Sequence, residues 1–305
     1  MKMGIGDASD KTRANVEETM AIENKQHAIH CLKSWLFTPA TKADRFSRAA
    51  EVGADVLIID LEDAVALSDK QKARTAALQY LEEAVGNRLP CALRINAVVT
   101  RAGIDDLHSL LESSAQPDYI ILPKCDSTGF VSMVRLLLDQ TRKKTEIIAL
   151  IESATGVESL HGIVTSDIKP AALLFGAADM AADLETKGDW EALSFVRSRI
   201  IQGAALTRVA VIDSPYFDIE DLDGLKRETR AAKNLGFHGK SAIHPKQIPI
   251  INEIFTPSAE EVAKARQILE VNQQGVGSVD HQMVDEAVAR KARLVLERAG
   301  ITSEK

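Results

Sequence analysis

Three carboxylates follow an apolar run in the stretch LIIDLEDAV, residues 57–65: Asp60, Glu62 and Asp63. Like charges this close repel one another, and an acidic cluster beside a core costs stability. One explanation is a solvated strand end that leads into a helix N-terminus, which favours anions. The other is a site that uses anions, either to hold a cation or to transfer protons.

Two further carboxylates stand at the ends of apolar runs. Glu152 follows the run EIIALI, and Asp179 lies in FGAADMAADL. Two carboxylates with few other protein ligands suit magnesium (Mg2+), which keeps several waters and takes its other ligands from substrate oxygens. They could equally be loop carboxylates that pair with lysine or arginine. Gly176 and Ala177 are small, so the backbone amides there could approach a substrate carboxylate.

Basic residues end two other runs. Arg94 lies in LRIN, at the end of an apolar run where an unpaired guanidinium would be costly. It can pair with the cluster at 60–63, bind a substrate carboxylate through two hydrogen bonds, or do both, since Glu62 and Asp63 could orient it. Lys124, in ILPK, is a supporting basic residue.

Eight short apolar runs alternate with amphipathic segments, and these elements must position the polar residues. Strands buried on both faces read as continuous apolar runs, and eight of them alternating with helices predict an α/β fold, a (β/α)8 TIM barrel. A doubly wound open sheet is the main alternative, but no GxGxxG follows the first run. The runs are SWLFT (34–38), VLIID (56–60), CALRI (91–95), YIILP (119–123), EIIALI (146–151), ALLFG (172–176), VAVID (209–213) and KSAI (240–243). The amphipathic segments include 42–52, 69–85, 129–142 and 189–208.

A barrel would bring the polar residues together. Barrel active sites lie at the carboxyl ends of the strands, and seven of the eight runs end on an ionisable group. The last two runs contribute Asp213 and His244, and we interpret the histidine as structural. A purely structural barrel needs no such ring of charge, so the pattern predicts a functional site on this rim.

The chain divides into three predicted regions: a polar N-terminal extension (1–32), the TIM-barrel catalytic domain (33–250) and a C-terminal helical lid or clasp (251–305). In the last region, Ser258 and Glu261 predict a capping box that opens a long helix. A turn-rich stretch follows at 275–284, and Asp285 is placed to cap the final helix.

Composition excludes several classes of protein. A net charge of −7 argues against a nucleic-acid surface, and no apolar run reaches the length of a membrane span. The first 30 residues lack the apolar core of a signal peptide, and three scattered cysteines give no zinc spacing or disulfide framework. We therefore expect a cytoplasmic protein with reduced thiols, and neither a nucleic-acid nor a membrane partner.

Taken together, these stretches resemble the citrate lyase beta-subunit-like family of the HpcH/HpaI aldolase group, which includes malyl-CoA and citramalyl-CoA lyases. The similarity covers about residues 33 to 295, with the matching stretches in family order. They are SWLFTPATKADRFSRA, GADVLIIDLEDAVALSDKQKAR, LRIN, ILPK, ALIESATGV, LLFGAADMAADL, GKSAIHPKQI and QMVDEAV. One departure is Lys33, where many members carry arginine.

The resemblance implies a TIM barrel, a homo-oligomer (trimer or hexamer), magnesium on Glu152 and Asp179, and Arg94 on the substrate carboxylate. It also implies a carbon–carbon lyase that cleaves a 3-hydroxy-3-carboxylate acyl-CoA to acetyl-CoA and an α-keto acid. Asp285 would be the acid/base, usually reaching over a neighbour's barrel. Glu62 is a candidate for relaying the enolate's proton.

Two alternatives stay open. The first is a citrate lyase beta subunit that acts on an acyl-carrier-protein thioester within a larger complex. The second is a catalytically silent barrel that binds CoA esters. The acyl group also stays open, because malyl, methylmalyl, citramalyl and citryl thioesters differ by small groups, and one methylene is worth only about 1–3 kcal/mol in a pocket.

Overall fold

Eight parallel strands close into a barrel in chain order. The computed structural model describes residues 29–83, 88–273, 277–280 and 282–301. The strands are β1 (Ser34–Pro39), β2 (Val56–Asp60), β3 (Cys91–Arg94), β4 (Tyr119–Leu122), β5 (Glu146–Ile151), β6 (Ala172–Phe175), β7 (Ala210–Asp213) and β8 (Gly239–Ala242). Closure is direct, since Trp35 of β1 is in register with Ser241 of β8. The predicted TIM barrel is confirmed and the open sheet is excluded.

Helices cover the outside of the barrel and form the C-terminal appendage. They are α1 (Arg48–Glu51), α2 (Lys70–Glu83), α3 (Arg101–Glu112), α4 (Thr128–Gln140), α5 (Ala154–Thr165), α6 (Ala177–Asp183), α7 (Trp190–Ala205), α8 (Leu222–Leu235), α9 (Ile248–Phe255), α10 (Ala259–Gln273) and α11 (Glu286–Arg298). The predicted helical segment 69–85 corresponds to α2, although residues 84 and 85 lie outside the described residues.

The predicted segment 42–52 is not one helix. A 3₁₀ turn spans Ala40–Arg45, and α1 adds a single helical turn. Lys42 breaks the helical path with φ −121° and ψ 51°. The buried residues here are Ala40, Phe46 and Ala49, whose spacing of six and then three does not keep one helical face on the core.

Side chains alternate between the barrel interior and the surrounding helices, as the period of two in a strand requires. The interior cluster includes Val56 and Ile58 of β2, and Ile148 and Leu150 of β5. The next inward-facing position after Ile58 is Asp60, and the next one after Leu150 is Glu152. Apolar residues thus fill the lower and middle layers, and polar residues take the same inward direction at the carboxyl ends.

The amino-terminal end of the barrel is closed by apolar side chains. Ile29 and Trp35 are almost fully buried and belong to the interior cluster. The rings of His30 and His238 meet edge to face, with centroids 4.5 Å apart. Of the predicted N-terminal extension, residues 1–28 lie outside the described residues.

The C-terminal appendage is a helical pair with a small hairpin. Ser258 and Glu261 exchange side-chain-to-backbone hydrogen bonds, so the predicted capping box of α10 is confirmed. Where a turn-rich stretch was predicted, β9 (Gly277–Val279) and β10 (Gln282–Val284) form an antiparallel pair. Ala265, Ala292 and Leu296 join α10 to α11. No helix in the described part of the chain is long and apolar enough to cross a membrane.

Candidate active site

A cavity of about 460 Å³ opens at the carboxyl end of the barrel. One part of its wall carries charged and polar groups, and the rest is apolar. The polar lining includes Asp60, Asp63, Arg94, Glu152, Asp179 and Ser241, and the apolar lining includes Phe37, Leu150, Leu174, Phe175, Pro215, Phe217 and Ile243. Seven predicted site residues therefore line one cavity: Asp60, Asp63, Arg94, Glu152, Gly176, Ala177 and Asp179.

Arg94 is fixed by Asp60 on the adjacent strand. Its Nε and Nη2 donate to the two carboxylate oxygens of Asp60, each over 2.7 Å. Nη1 lies 3.1 Å from Glu62 Oε2 and 3.7 Å from Asp63 Oδ2, and the guanidinium carbon stands 4.8 Å from the centre of the Phe37 ring. Burial alone would lower the pKa of Arg94, but the bonds and charges of these carboxylates raise it.

Asp60 also explains the acidic stretch after β2. Its Oδ1 accepts the backbone N–H of Glu62 at 2.9 Å, and its Oδ2 accepts that of Ala64 at 3.3 Å. The carboxylate therefore holds both the turn and Arg94. The acidic cluster is therefore partly structural. Asp63 lines the cavity, whereas Glu62 is buried and reaches Arg94 and Lys124 without lining the cavity itself.

Glu152 is buried against the backbone of its neighbours. Its Oε1 accepts the backbone N–H of Lys124 at 2.8 Å, and a β-carbon at Gly176 would collide with it. Burial, together with the carboxylates of Glu62 and Asp179, raises the pKa of Glu152 to about 8. The glycine is therefore required by the close approach of this carboxyl group.

The ammonium group of Lys124 stands among three carboxylates. Its Nζ lies 3.3 Å from Asp179 Oδ1, 3.4 Å from Glu62 Oε1 and 3.9 Å from Glu152 Oε1. Burial raises the pKa of Glu62 to about 7, because Arg94 and Lys124 offset burial only in part. Sequence reasoning placed Lys124 as a supporting residue, and it lies at the centre of the charged cluster.

The donor set fits a hard divalent cation. In the described residues, no three histidine, cysteine, aspartate or glutamate side chains are arranged to hold a metal by themselves. Glu152 and Asp179 nevertheless face one cation position, now taken by the Lys124 ammonium, beside an open cavity. Two carboxylates with room for waters and substrate oxygens match the ligand preference of magnesium.

Asp213 does not belong to the cavity, although it ends β7. It is fully buried and accepts hydrogen bonds from Lys240 Nζ at 2.6 Å and Arg197 Nε at 3.0 Å. Val211, two residues earlier on β7, packs in the cluster between the barrel and its helices, so the side chain of Asp213 also points toward the helices. His244 likewise has a structural role, since Nδ1 accepts the backbone N–H of Lys246 at 3.1 Å.

Asp285 lies outside the cavity of its own chain. It is exposed and caps α11, its Oδ1 accepting the backbone N–H of Val288 at 2.9 Å. Further along α11, Leu294 and Glu297 share a cavity with Val209 and His238, which precede β7 and β8. That half of α11 therefore lies near the amino-terminal end of the barrel, opposite Glu152.

Sequence reasoning missed two features of this face. The first is the apolar wall at Phe37 and Phe217, whose residues carry no chemical signature. The second is a neighbouring cavity of about 510 Å³ that shares Phe37, Pro39 and Ile243 with the first. Arg45, Arg48 and Lys246 line it. The basic spacing in KADRFSR was a signal that could have indicated it.

Comparison with known proteins adds relatives of stated activity. Citrate lyase subunit beta of Haemophilus influenzae is 30% identical over 289 residues, covering 89% of this chain and 99% of that protein. L-malyl-CoA/beta-methylmalyl-CoA lyase of Cereibacter sphaeroides is 29% identical over 300 residues, covering 88% and 94%.

Solved structures agree in fold. RipC from Yersinia pestis is 43% identical, with a TM-score of 0.68, and the match covers 76% of this chain and 99% of that one. CitE from Mycobacterium tuberculosis, solved with magnesium, acetoacetate and coenzyme A, is 33% identical with a TM-score of 0.75, covering 88% and 98%.

The sequence profile described as HpcH/HpaI aldolase/citrate lyase matches residues 33–245. That segment contains all eight strands and every residue of the charged cluster. The chain therefore belongs to the HpcH/HpaI aldolase/citrate lyase family.

Proposed function

We propose that this protein is a magnesium-dependent lyase that cleaves a 3-hydroxy-3-carboxylate acyl-CoA, of the citramalyl-CoA or malyl-CoA type, to acetyl-CoA and an α-keto acid. The observation that carries the proposal is the joint presence of Glu152, Asp179 and Arg94 on one cavity wall. Carboxylates for a metal and a guanidinium for a carboxylate are the groups that a chelating hydroxy acid requires.

Glu152 and Asp179 are the proposed metal ligands. When bound there, magnesium supplies Lewis-acid stabilisation for the hydroxyl oxygen and carboxylate of the substrate. The chain's contribution is to fix Glu152 through the Lys124 amide and to leave space at Gly176. The CitE structure was solved with magnesium, which supports magnesium as the metal by similarity.

Arg94 is proposed to bind the substrate carboxylate. Its Nε and Nη2 are engaged by Asp60, so the substrate meets the remaining N–H groups of an arginine whose position is already fixed. A fixed donor loses little conformational entropy when it binds. The backbone amides at Gly176 and Ala177 are proposed to support the same carboxylate.

Cleavage needs two proton transfers. The hydroxyl at C3 loses its proton, the electrons of the C2–C3 bond move toward the thioester carbonyl, and the resulting acetyl thioester enolate gains a proton at C2. Glu62, with a pKa of about 7, is suited to relay a proton near neutral pH. Asp285 from a neighbouring subunit is the proposed acid/base at the reacting carbon, which makes the active enzyme a homo-oligomer.

The neighbouring basic cavity favours a CoA ester over a carrier-protein thioester. Arg45, Arg48 and Lys246 are positioned to meet the phosphates of a nucleotide next to the catalytic cavity. The two cavities are adjacent, since both are lined by Phe37, Pro39 and Ile243, and a thioester arm is proposed to run between them. A citrate lyase beta subunit inside a larger complex is the second candidate, and the Haemophilus influenzae relative favours it.

The apolar wall favours a small substituent at C3. Leu174, Pro215, Phe217 and Ile243 suit the hydrogen of a malyl group or the methyl of a citramalyl group. A citryl group adds a second carboxylate, which would be desolvated against this wall without a cation of its own.

The test is a panel of malyl, methylmalyl, citramalyl and citryl thioesters of CoA, with magnesium and purified protein alone. We expect turnover of malyl-CoA or citramalyl-CoA. Activity only on an acyl-carrier-protein thioester would favour the beta-subunit alternative. Tight binding of a CoA ester with no turnover would indicate the silent scaffold instead.

A further inference from the structure

The ammonium group of Lys124 lies within 3.9 Å of both carboxylates that are proposed to bind the metal. Its ammonium nitrogen lies within 3.3–3.9 Å of oxygens on Asp179, Glu62 and Glu152. Two of these three residues are the proposed magnesium ligands. The carboxylates that would attract a metal therefore already hold a cation from the chain itself.

Lys124 reaches this position from an unfavourable backbone conformation. Its φ of 49° is left-handed, which lysine rarely adopts and which costs on the order of 1 kcal/mol or more. The backbone alone fixes Glu152, through the amide of residue 124. Glycine or asparagine would provide that amide with less strain. The lysine side chain therefore needs an explanation beyond the backbone hydrogen bond.

An ammonium and a magnesium ion would compete for the same carboxylate oxygens of Glu152 and Asp179. Magnesium requires its oxygen ligands at about 2.0–2.1 Å, which would bring the two cations into close contact and strong repulsion. The Lys124 side chain is 44% exposed, and its flexible four-carbon stem allows it to leave toward the cavity mouth. Binding of the metal and occupation by the ammonium are therefore mutually exclusive states of one site.

We propose that Lys124 is an internal counter-cation that holds Glu62, Glu152 and Asp179 together in the metal-free enzyme and is displaced when magnesium binds. The inference rests on the proposed metal site at Glu152 and Asp179. Its distinctive consequence is that the lysine side chain opposes metal binding, although it lies at the centre of the site. A residue that only positioned the ligands would have the opposite effect.

The test measures metal affinity directly, with Mn2+ as the probe because it accepts the same oxygen ligands. Loss of the free Mn2+ electron paramagnetic resonance signal gives Kd without an activity assay. Lys124→Met removes the charge and keeps the stem, and Lys124→Asn is a second neutral variant that tolerates the left-handed backbone. Lys124→Arg keeps a cation. Lys72→Met, on the exposed face of α2, is the matched control for net charge.

We expect both neutral variants to bind Mn2+ roughly tenfold more tightly than wild type, a change of about 1.4 kcal/mol. Lys124→Arg and Lys72→Met should stay near the wild-type affinity. The neutral variants should also melt at a lower temperature in chelator and gain more from saturating metal, since tighter binding to the folded state stabilises it more.

Unchanged or weaker Mn2+ binding in both neutral variants would overturn the counter-cation role of Lys124. Glu152→Gln separates this from a failure of the metal site itself. If wild type and Glu152→Gln bind Mn2+ equally, the assignment of the metal to Glu152 is wrong, and the role of Lys124 falls with it. If only Glu152→Gln is impaired, the metal site stands and Lys124 is a bystander.

Discussion

The backbone of Gly176 lies so close to the side chain of Glu152, at the end of the adjacent strand, that no residue with a β-carbon fits at position 176. A β-carbon at position 176 would lie 2.5 Å from Cβ of Glu152 and 2.6 Å from its Oε2. Backbone and carboxyl group cannot both keep their positions if that carbon is added. The glycine therefore determines where the carboxylate of Glu152 points.

Gly176→Ala should displace the carboxylate of Glu152 and thereby weaken magnesium binding, while the protein still folds. We expect a cost of about 1–3 kcal/mol in the free energy of unfolding, typical of overpacking. The control is Gly188→Ala, where an added β-carbon meets its nearest neighbour at an ordinary 3.8 Å. Calorimetric titration with magnesium on both variants is the measurement, and equal affinity in the two would contradict this role of Gly176.

Glu152→Gln and Asp179→Asn should each weaken magnesium binding by more than about tenfold, since even residues that only support metal ligands cost this much. The physical reason is the loss of a charged oxygen ligand in each variant. Isothermal titration with magnesium and an α-keto acid measures the effect. Unchanged affinity in both variants would mean that the metal, if any, binds elsewhere.

Arg94→Lys should bind the α-keto acid product about 10–100-fold more weakly, as expected for the loss of hydrogen bonds between charged groups. Lysine cannot reproduce the planar donor set that Asp60 holds in place. The measurement is product inhibition by the keto acid. If the keto acid inhibits the variant as strongly as wild type, Arg94 does not bind the substrate carboxylate and only pairs with Asp60.

The barrel could be predicted from sequence because each strand is buried on both faces and reads as a continuous apolar run. The direction of the rim residues was harder to predict. Asp60 and Asp213 both end such runs, yet Asp60 continues the inward column of Val56 and Ile58. Asp213 continues the outward column instead and pairs with Lys240. Extending the alternation of each strand by two residues would have separated them.

Other parts of the site could not be read from residue types. Lys124 leaves the alternation of β4 through a left-handed backbone, which no local pattern in ILPKCD predicts. The apolar wall at Phe217 is brought to the cavity only by barrel closure. The short hairpin of β9 and β10 lacks the strong β-branched alternation that marks longer strands.

The contribution of His238 to stability should fall with acidification below about pH 6.5, while the raised pKa values of Glu62 and Glu152 act in the opposite direction. Burial lowers its pKa well below the usual value, and the charges of His30 and Arg298 lower it further. Between the folded and unfolded pKa values of His238 the unfolded chain binds the extra proton, so the part of the free energy of unfolding that depends on this histidine decreases as pH falls, by up to about 1.4 kcal/mol per pH unit.

His238→Asn should remove this contribution, because asparagine can still accept the Val211 N–H that now binds Nδ1 at 3.1 Å, yet it does not titrate. The free energy of unfolding of the variant should therefore fall less, or rise more, than that of wild type between pH 7 and pH 5. Urea unfolding at pH 7, 6 and 5 measures it. The matched control is His161→Asn, at an exposed position of α5. Parallel slopes for wild type and His238→Asn would show that this histidine does not set the pH dependence.

Asp285→Asn separates a helix cap from a catalytic acid/base. Asparagine caps helices about as well as aspartate, so the melting temperature should barely change in either case. If Asp285 transfers protons in a neighbour's site, kcat should fall by roughly 10²–10⁴-fold. Near-normal kcat would mean that its hydrogen bond to Val288 is its whole role.

The most direct test of the central claim is a product analysis of citramalyl-CoA and malyl-CoA incubated with the wild-type protein, with magnesium and with chelator. Chromatography should show acetyl-CoA and the matching α-keto acid, pyruvate or glyoxylate, in equal amounts and only with magnesium. Free CoA without a keto acid would mean thioester hydrolysis instead of carbon–carbon cleavage. Intact substrate in every sample would contradict the proposed lyase activity on these CoA esters.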